Sequence, residues 1–191
     1  INFFDNMDGA AGGISALAGF GFAIIGLQNG QYFVAAFGLV LSGACVGYLF
    51  WNWNPAKIYM GDAGALFIGI ILAALAVRVD PVSVNGIGAF FVPICVLALP
   101  ILDTTTVVID RLRRKVSPFE GGLDHLSHRL RRKGLSVRQV VTTLCLLHGI
   151  SIMIGFLINM SGNTYDSKLA ILETILGLVL LIWFLKIPSQ D

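Results

Sequence analysis

The sequence predicts an all-α fold: a polytopic transmembrane helix bundle of about six spans, with a basic loop that contains a short amphipathic helix. Of its 191 residues 56% are hydrophobic and only 13% charged, where an ordinary soluble domain has roughly 25% charged residues. The mean hydropathy is +0.82. The apolar residues fall into runs close to the ~20 needed to cross a bilayer. The cations do not scatter: nine of the 13 Lys and Arg lie between Arg111 and Arg138.

The first span is expected from about Gly9 to Leu27, where Gly12, Gly13, Gly19, Gly21 and Gly26 allow close helix packing in lipid. Gln28-Asn29-Gly30 ends it. The second covers about Tyr32 to Phe50, with Trp51 and Trp53 at the interface, which aromatic rings favour. The third starts near Ala63 and stops before Arg78. The fourth, about Val84 to Val108, contains Pro93 and Pro100, and a kink is expected there. The fifth covers about Val140 to Asn159 and the sixth about Leu169 to Leu185, after a Ser136 to Gln139 capping box that opens the fifth. Cys45, Cys95 and Cys145 each sit in an apolar run without metal-ligand spacing and read as buried thiols. No signal peptide is visible, and the chain opens on Ile1 in mid-motif, as expected of a piece whose N-terminal part lies upstream.

The positive-inside rule puts the 111–138 loop in the cytoplasm. Counting spans back from it places the Asn2–Asp8 and Asn54–Asp62 segments on the same side, and the segments near Gln28, Asp80 and Asp166 on the other. Every polar cluster with chemical promise then shares one face. In the first, Asn2-Phe3-Phe4-Asp5-Asn6-Met7-Asp8-Gly9, the carboxylates of Asp5 and Asp8 lie three apart and share a face if the segment is helical. They suit a cation or ligand hydroxyls, or are first-turn acids favoured by the helix dipole.

In the second, Asn54 to Gly64, Asp62 stands between two glycines, which leave room for a ligand or metal; alternatively it caps the following helix. Lys57 suits phosphate, and Tyr59 suits a stacked base. Their plain alternatives are a snorkelling lysine and an interfacial aromatic. In the third, Leu123 to Lys133 reads as an amphipathic helix with Leu123, Leu126 and Leu130 on one side and His125, His128, Arg129 and Arg132 on the other. Two imidazoles and two guanidiniums together suit pyrophosphate or lipid phosphate, or an anionic lipid surface. Asp103 lies in or just under the membrane face, where an ionisable group is a functional candidate or the partner of a loop arginine.

These motifs resemble the polyprenyl-phosphate N-acetylhexosamine-1-phosphate transferases, glycosyl transferase family 4. That superfamily includes the undecaprenyl-phosphate GlcNAc-1-phosphate transferases of O-antigen and teichoic acid synthesis and the phospho-MurNAc-pentapeptide translocase. Asn2 to Gly9 is similar to the family's N-x-x-D-[GN]-x-D-G motif, and Asn54 to Gly64 to its N-x-P-A-K-I-F-M-G-D-x-G motif. Asp103 with Arg111, Ser117, Pro118 and Phe119 follows its D-to-R-x-x-x-x-S-P-F stretch, and Asp124 to Leu130 its histidine motif. The P-A-K-I-x-M-G-D form leans toward the GlcNAc branch.

The resemblance implies one membrane transferase domain over residues 1–191, its C-terminal part, with the 111–138 loop inside it. It implies transfer of a sugar-1-phosphate, GlcNAc-1-phosphate by the motif, from a UDP-sugar to polyprenyl (undecaprenyl) phosphate, releasing UMP, for cell-envelope polysaccharide. Asp62 would be a Mg²⁺ ligand, with Mn²⁺ the alternative metal. Asp5, Asp8, His125 and His128 would be catalytic, and Asn2, Asn54, Lys57, Tyr59, Asp103 and Arg129 would bind substrate. The implied setting is the inner membrane with a cytoplasmic active site; a homodimer fits this setting, and nucleic acid is not a partner. Ser127 replaces a histidine that the motif often carries, and the family's aspartate pair is expected upstream of Ile1. The competing readings are a transporter for an ion or anionic solute and a non-catalytic scaffold that binds lipid phosphate.

Overall fold

The computed structural model describes residues 1–81, 86–117, 122–161 and 165–189, except for the side chains of Ile87 and Asp166. A 3-10 turn at Asn2–Phe4 leads into α1 (Ala10–Gln28), α2 (Tyr32–Asn52) and α3 (Gly61–Arg78). Then come α4 (Ile87–Val96), α5 (Ala98–Arg113), the short α6 (Leu126–Arg132), α7 (Val137–Ser161) and α8 (Asp166–Leu185). Five helices are long and apolar enough to cross a membrane, and α4 with α5 makes a sixth, bent span. This is a multi-pass helical membrane protein.

Composition explains the centre of the bundle. α1 has small residues on all sides and is the most buried helix, with α2 laid closely along it. A Cβ on Gly38 would come within 2.6 Å of the Gly19 carbonyl oxygen, so the two backbones touch where those glycines cross. Phe22, Ile25, Val34, Leu72, Val92 and Ile154 fill the mid-membrane core. A second core at one end gathers Phe4, Ile14, Leu126, Leu130, Val140, Leu144 and Phe184, and it seats α6, the helix of the basic loop.

The fourth span departs furthest from expectation. The expected kink is a full break at Leu97, where α4 and α5 meet at 79°. Pro100 has no N–H to give the Val96 carbonyl, and its ring crowds the preceding turn. α5 is amphipathic in an inverted sense: Asp103, Thr106 and Arg111 are buried, while Ile101 and Leu112 face outward. α7 begins with the expected capping box, in which the Ser136 N–H donates to Gln139 Oε1 at 2.8 Å and the Gln139 N–H donates to Ser136 Oγ at 3.3 Å. At the opposite end of the bundle, Asn159 accepts from Asn29 at 2.9 Å and donates to Gln28 at 3.0 Å. Cys45 and Cys95 are buried and Cys145 is half-buried, all as free thiols.

Candidate active site

Asn52, the last residue of α2, is buried between two exposed tryptophans and ties two motifs together. Its Oδ1 accepts the Gly9 N–H at 2.8 Å and its amide donates to the Ile58 carbonyl at 2.9 Å. Asp8 Oδ2 accepts from the Asn54 amide at 2.9 Å and from the Ala56 N–H at 3.0 Å. Asp5 Oδ2 accepts the Gly61 N–H at 3.1 Å. Gly61 has φ +67°, a conformation glycine adopts without steric cost, and this lets its N–H turn to Asp5 as α3 begins. Arg138, at the start of α7, donates to the Asn54 carbonyl at 2.8 Å. The N-terminal motif and the Asn54–Gly64 motif therefore form one polar platform.

The histidine motif joins it from the other side. Ser127 donates its hydroxyl to Asn6 Oδ1 at 2.7 Å, and the Phe3 ring lies 5.7 Å from the His125 ring. Asp103, fully buried on α5, holds the start of α6 with both oxygens: Oδ2 meets His125 Nδ1 at 2.8 Å and Oδ1 accepts the Leu126 N–H at 2.8 Å. Below, Arg111 grips Asp124 with two bonds of 2.6 and 2.7 Å, Arg114 adds a third at 3.0 Å, and Arg129 reaches Asp110 at 3.1 Å. Burial pushes the Asp124 carboxyl up, but hydrogen bonding to Arg111 more than offsets it and holds it at about 2.

Asp5, Asp8 and Asn54 meet at the platform, but the carboxylates do not share a helix face. The segment from Asp5 to Gly9 is a series of turns, and the two acids diverge to different parts of one loop. Asn2 lies in the 3-10 turn and is exposed. Asp62 is exposed in the first turn of α3, whose N-cap is Met60, so it is not the cap. Tyr59 is 77% exposed, and Lys57 lies over the Trp51 ring at 5.5 Å.

The helix in the basic loop is shorter than expected, and its faces differ. It starts at Leu126 with His125 extended at the N-cap, Leu123 is exposed, and Arg129 turns inward. Arg129 is 0% exposed and gives its protons to the carbonyls of Asp124, Phe184 and Ile187, so it is a structural pin and presents no guanidinium to a phosphate. A buried guanidinium finds its partners inside the fold, which overrode the helical period. Asp103 likewise spends both oxygens on the protein, and its partner is a histidine rather than a loop arginine. His128 is half-buried, and burial, His125 and Arg132 together push its imidazole below the ordinary range. Pro118 and Phe119 lie outside the described residues, and Ser117 is exposed.

Asn6, Asn52, Asp110, Arg114, Asp124 and Arg138 also belong to the assembly. An asparagine set between two tryptophans was the one signal in the sequence for Asn52. For a metal, the structure offers oxygen donors. Burial raises the Asp5 carboxyl above its ordinary value; the Gly61 N–H opposes this and the negative charge of Asp62 adds to it. Two carboxylates in electrostatic contact fit Mg²⁺, which takes one or two carboxylates and completes its shell with water and substrate phosphates. Among the described residues no group of three or more His, Cys, Asp or Glu side chains is placed around one metal position.

The model of glycosyl transferase family 4 matches residues 1–80, which contain Asp5, Asp8 and Asp62. Over 190 residues, all of this chain and 51% of the relative, the sequence is 33% identical to the probable undecaprenyl-phosphate N-acetylglucosaminyl 1-phosphate transferase of Bacillus subtilis. The chain thus resembles glycosyl transferase family 4. Other relatives align over less of it. Decaprenyl-phosphate N-acetylglucosaminephosphotransferase of Mycolicibacterium smegmatis is 34% identical across 78% of this chain and 41% of its own length. Phospho-N-acetylmuramoyl-pentapeptide-transferase of Clostridium botulinum is 30% identical across 82% and 46%. The chain thus spans about half the length of the family members it matches.

Proposed function

We propose that the intact protein transfers a sugar-1-phosphate, GlcNAc-1-phosphate, from a UDP-sugar to polyprenyl phosphate and releases UMP. The observation that carries this reading is the meeting, at one end of the bundle, of Asp5 and Asp8, bonded to the 54–61 loop that leads into Asp62, with Ser127 and His125 of the histidine motif, which reach Asn6 and Phe3. The excess of cations in the 111–138 loop, at the same end, favours a cytoplasmic face for it. A nucleotide sugar reaches it from water, and Tyr59 offers an exposed ring for the base. The lipid substrate has a route too. An apolar groove of about 360 Å³ runs between α3 and α5, lined by Gly69, Leu72, Leu97, Pro100, Ile101 and Thr104. Gly69 lies seven residues from Asp62, ~10 Å along α3.

In the reaction an oxygen of the polyprenyl phosphate attacks the sugar-bearing phosphorus of the UDP-sugar. The bond from that phosphorus to the bridging oxygen breaks, UMP leaves with that oxygen, and the sugar stays on a polyprenyl diphosphate. Asp62 with Asp5 beside it would hold Mg²⁺, or Mn²⁺, which when bound offsets the charge of the diphosphate. Asp8 keeps the Asn54–Ala56 loop in place, and the imidazoles of His125 and His128 would meet the phosphate end. The transporter reading calls for polar groups at a broken helix; Val96, Leu97, Ala98 and Leu99 at the break are apolar, and Glu173 of α8 is the one carboxylate beside it among the described residues, away from the clustered polar motifs.

The test is UMP release from UDP-GlcNAc by the intact protein with polyprenyl phosphate and Mg²⁺. Release that requires both lipid and metal, and that Asp62→Asn abolishes, is expected. Undiminished release by Asp62→Asn would remove Asp62 from the metal site.

A further inference from the structure

We propose that Asp103 is the positioning residue for His125: it fixes the imidazole with Nδ1 as donor and leaves Nε2 for the substrates' phosphate oxygens. The proposal rests on the transfer reading above. The carboxylate is fully buried and cannot swing, because Oδ1 is committed to the Leu126 N–H and Oδ2 to the imidazole. An ionised carboxylate has only acceptor atoms, so the ring nitrogen that meets it is the one that donates. The shared proton therefore sits on Nδ1, and Asp103 accepts twice.

Nε2 lies on the edge of the ring opposite the bond to Asp103. The Phe3 ring, tilted 32° to the imidazole, limits its rotation about the remaining axis. In this tautomer Nε2 carries a lone pair. There it accepts a hydrogen bond from a phosphate hydroxyl or from water held on a phosphate oxygen, while Asp103 keeps the ring in place. The same carboxylate fills the first orphan N–H of α6, so it also sets the start of the helix that carries His128.

The experiment is a double-mutant cycle on UMP release by the intact protein, paired with ¹⁵N NMR of its histidines. Asp103→Asn keeps the bond to the Leu126 N–H but turns its NH₂ toward Nδ1, which moves the ring proton to Nε2. Asp103→Asn and His125→Gln are each expected to lower kcat by about 10- to 100-fold with a smaller change in KM, the usual scale for loss of a supporting partner. The double variant is expected to be no worse than the worse single. Fully additive losses would overturn the proposal, since they mean that Asp103 acts apart from His125. The NMR decides even if a variant fails to fold or the protein releases no UMP. A protonated Nδ1 on His125 in the parent supports the proposal, and an Nε2–H tautomer there overturns it, whereas absent UMP release counts only against the transfer reading.

Discussion

Replacing Arg111 by Met tests the ion pair that locks the basic loop to α5. Arg111 and Asp124 have side chains only 4% and 2% exposed, and the guanidinium binds the carboxylate through two bonds of 2.6 and 2.7 Å. Removing one partner of such a pair costs ~3–5 kcal/mol, chiefly because the other charge stays buried. Arg114 remains on Asp124 at 3.0 Å, which puts the loss near the lower limit, ~3 kcal/mol. For a chain of this size each kcal/mol shifts Tm by ~2–4 °C, so melting of the purified protein in detergent is expected to fall by ~6–12 °C. The double variant Arg111→Met/Asp124→Leu removes both charges and is expected to regain most of the loss. A single variant that melts within ~2 °C of the parent, or a double variant no better than the single, would refute the reasoning. The pair also has a pH signature. Asp124 is held at about 2, below its ordinary 3.8, so its contribution is whole above the ordinary value and is lost as pH falls toward 2.

Gly38→Ala puts a methyl group 2.6 Å from the Gly19 carbonyl and is expected to destabilise by ~1–3 kcal/mol, read as the same melting shift; a neutral result would mean that α1 and α2 separate easily. His128 is held below the ordinary imidazole value, so the unfolded chain binds more protons just below pH 6.5 and stability should fall as pH drops through that window. His128→Gln should flatten that part of the melting profile, and an unchanged slope would assign it to another group. Tyr59→Ala removes an exposed ring, so melting should not move, while KM for the UDP-sugar should rise by the ~1–3 kcal/mol of a base stack, about 5- to 150-fold. An unchanged KM would place the base elsewhere.

The spans were legible because lipid demands long apolar helices, and the boundaries of all but the fourth fell within about three residues of their hydropathy edges; the expected start of the fourth, Val84, lies outside the described residues, and its helix runs on past Val108 to Arg113. The platform was legible only as a list. Asp5, Asp8 and Asn54 stood out as polar residues in an oily chain, but the knowledge that Asp8 holds the loop of Asn54 lies in a pairing 46 residues apart. Arg129 misled for a physical reason. The helical period assigns a face, not a fate, and here the outward-reading face of a seven-residue helix is roofed by the end of α8. The break at Leu97 was foreseeable in place from Pro93 and Pro100 but not in size, because the angle depends on what α5 packs against.

Arg129 also changes what the last helix is. Along α8 only Ala170, Glu173 and Phe184 are buried among the described residues, so most of its length answers to lipid. Its end is nevertheless fastened, through the Phe184 and Ile187 carbonyls, to the helix that carries His128. A bilayer too thick or too thin for a span tilts it. Here such a tilt pulls on a guanidinium one residue from a candidate catalytic imidazole, which makes α8 a lever arm with its fulcrum at the site.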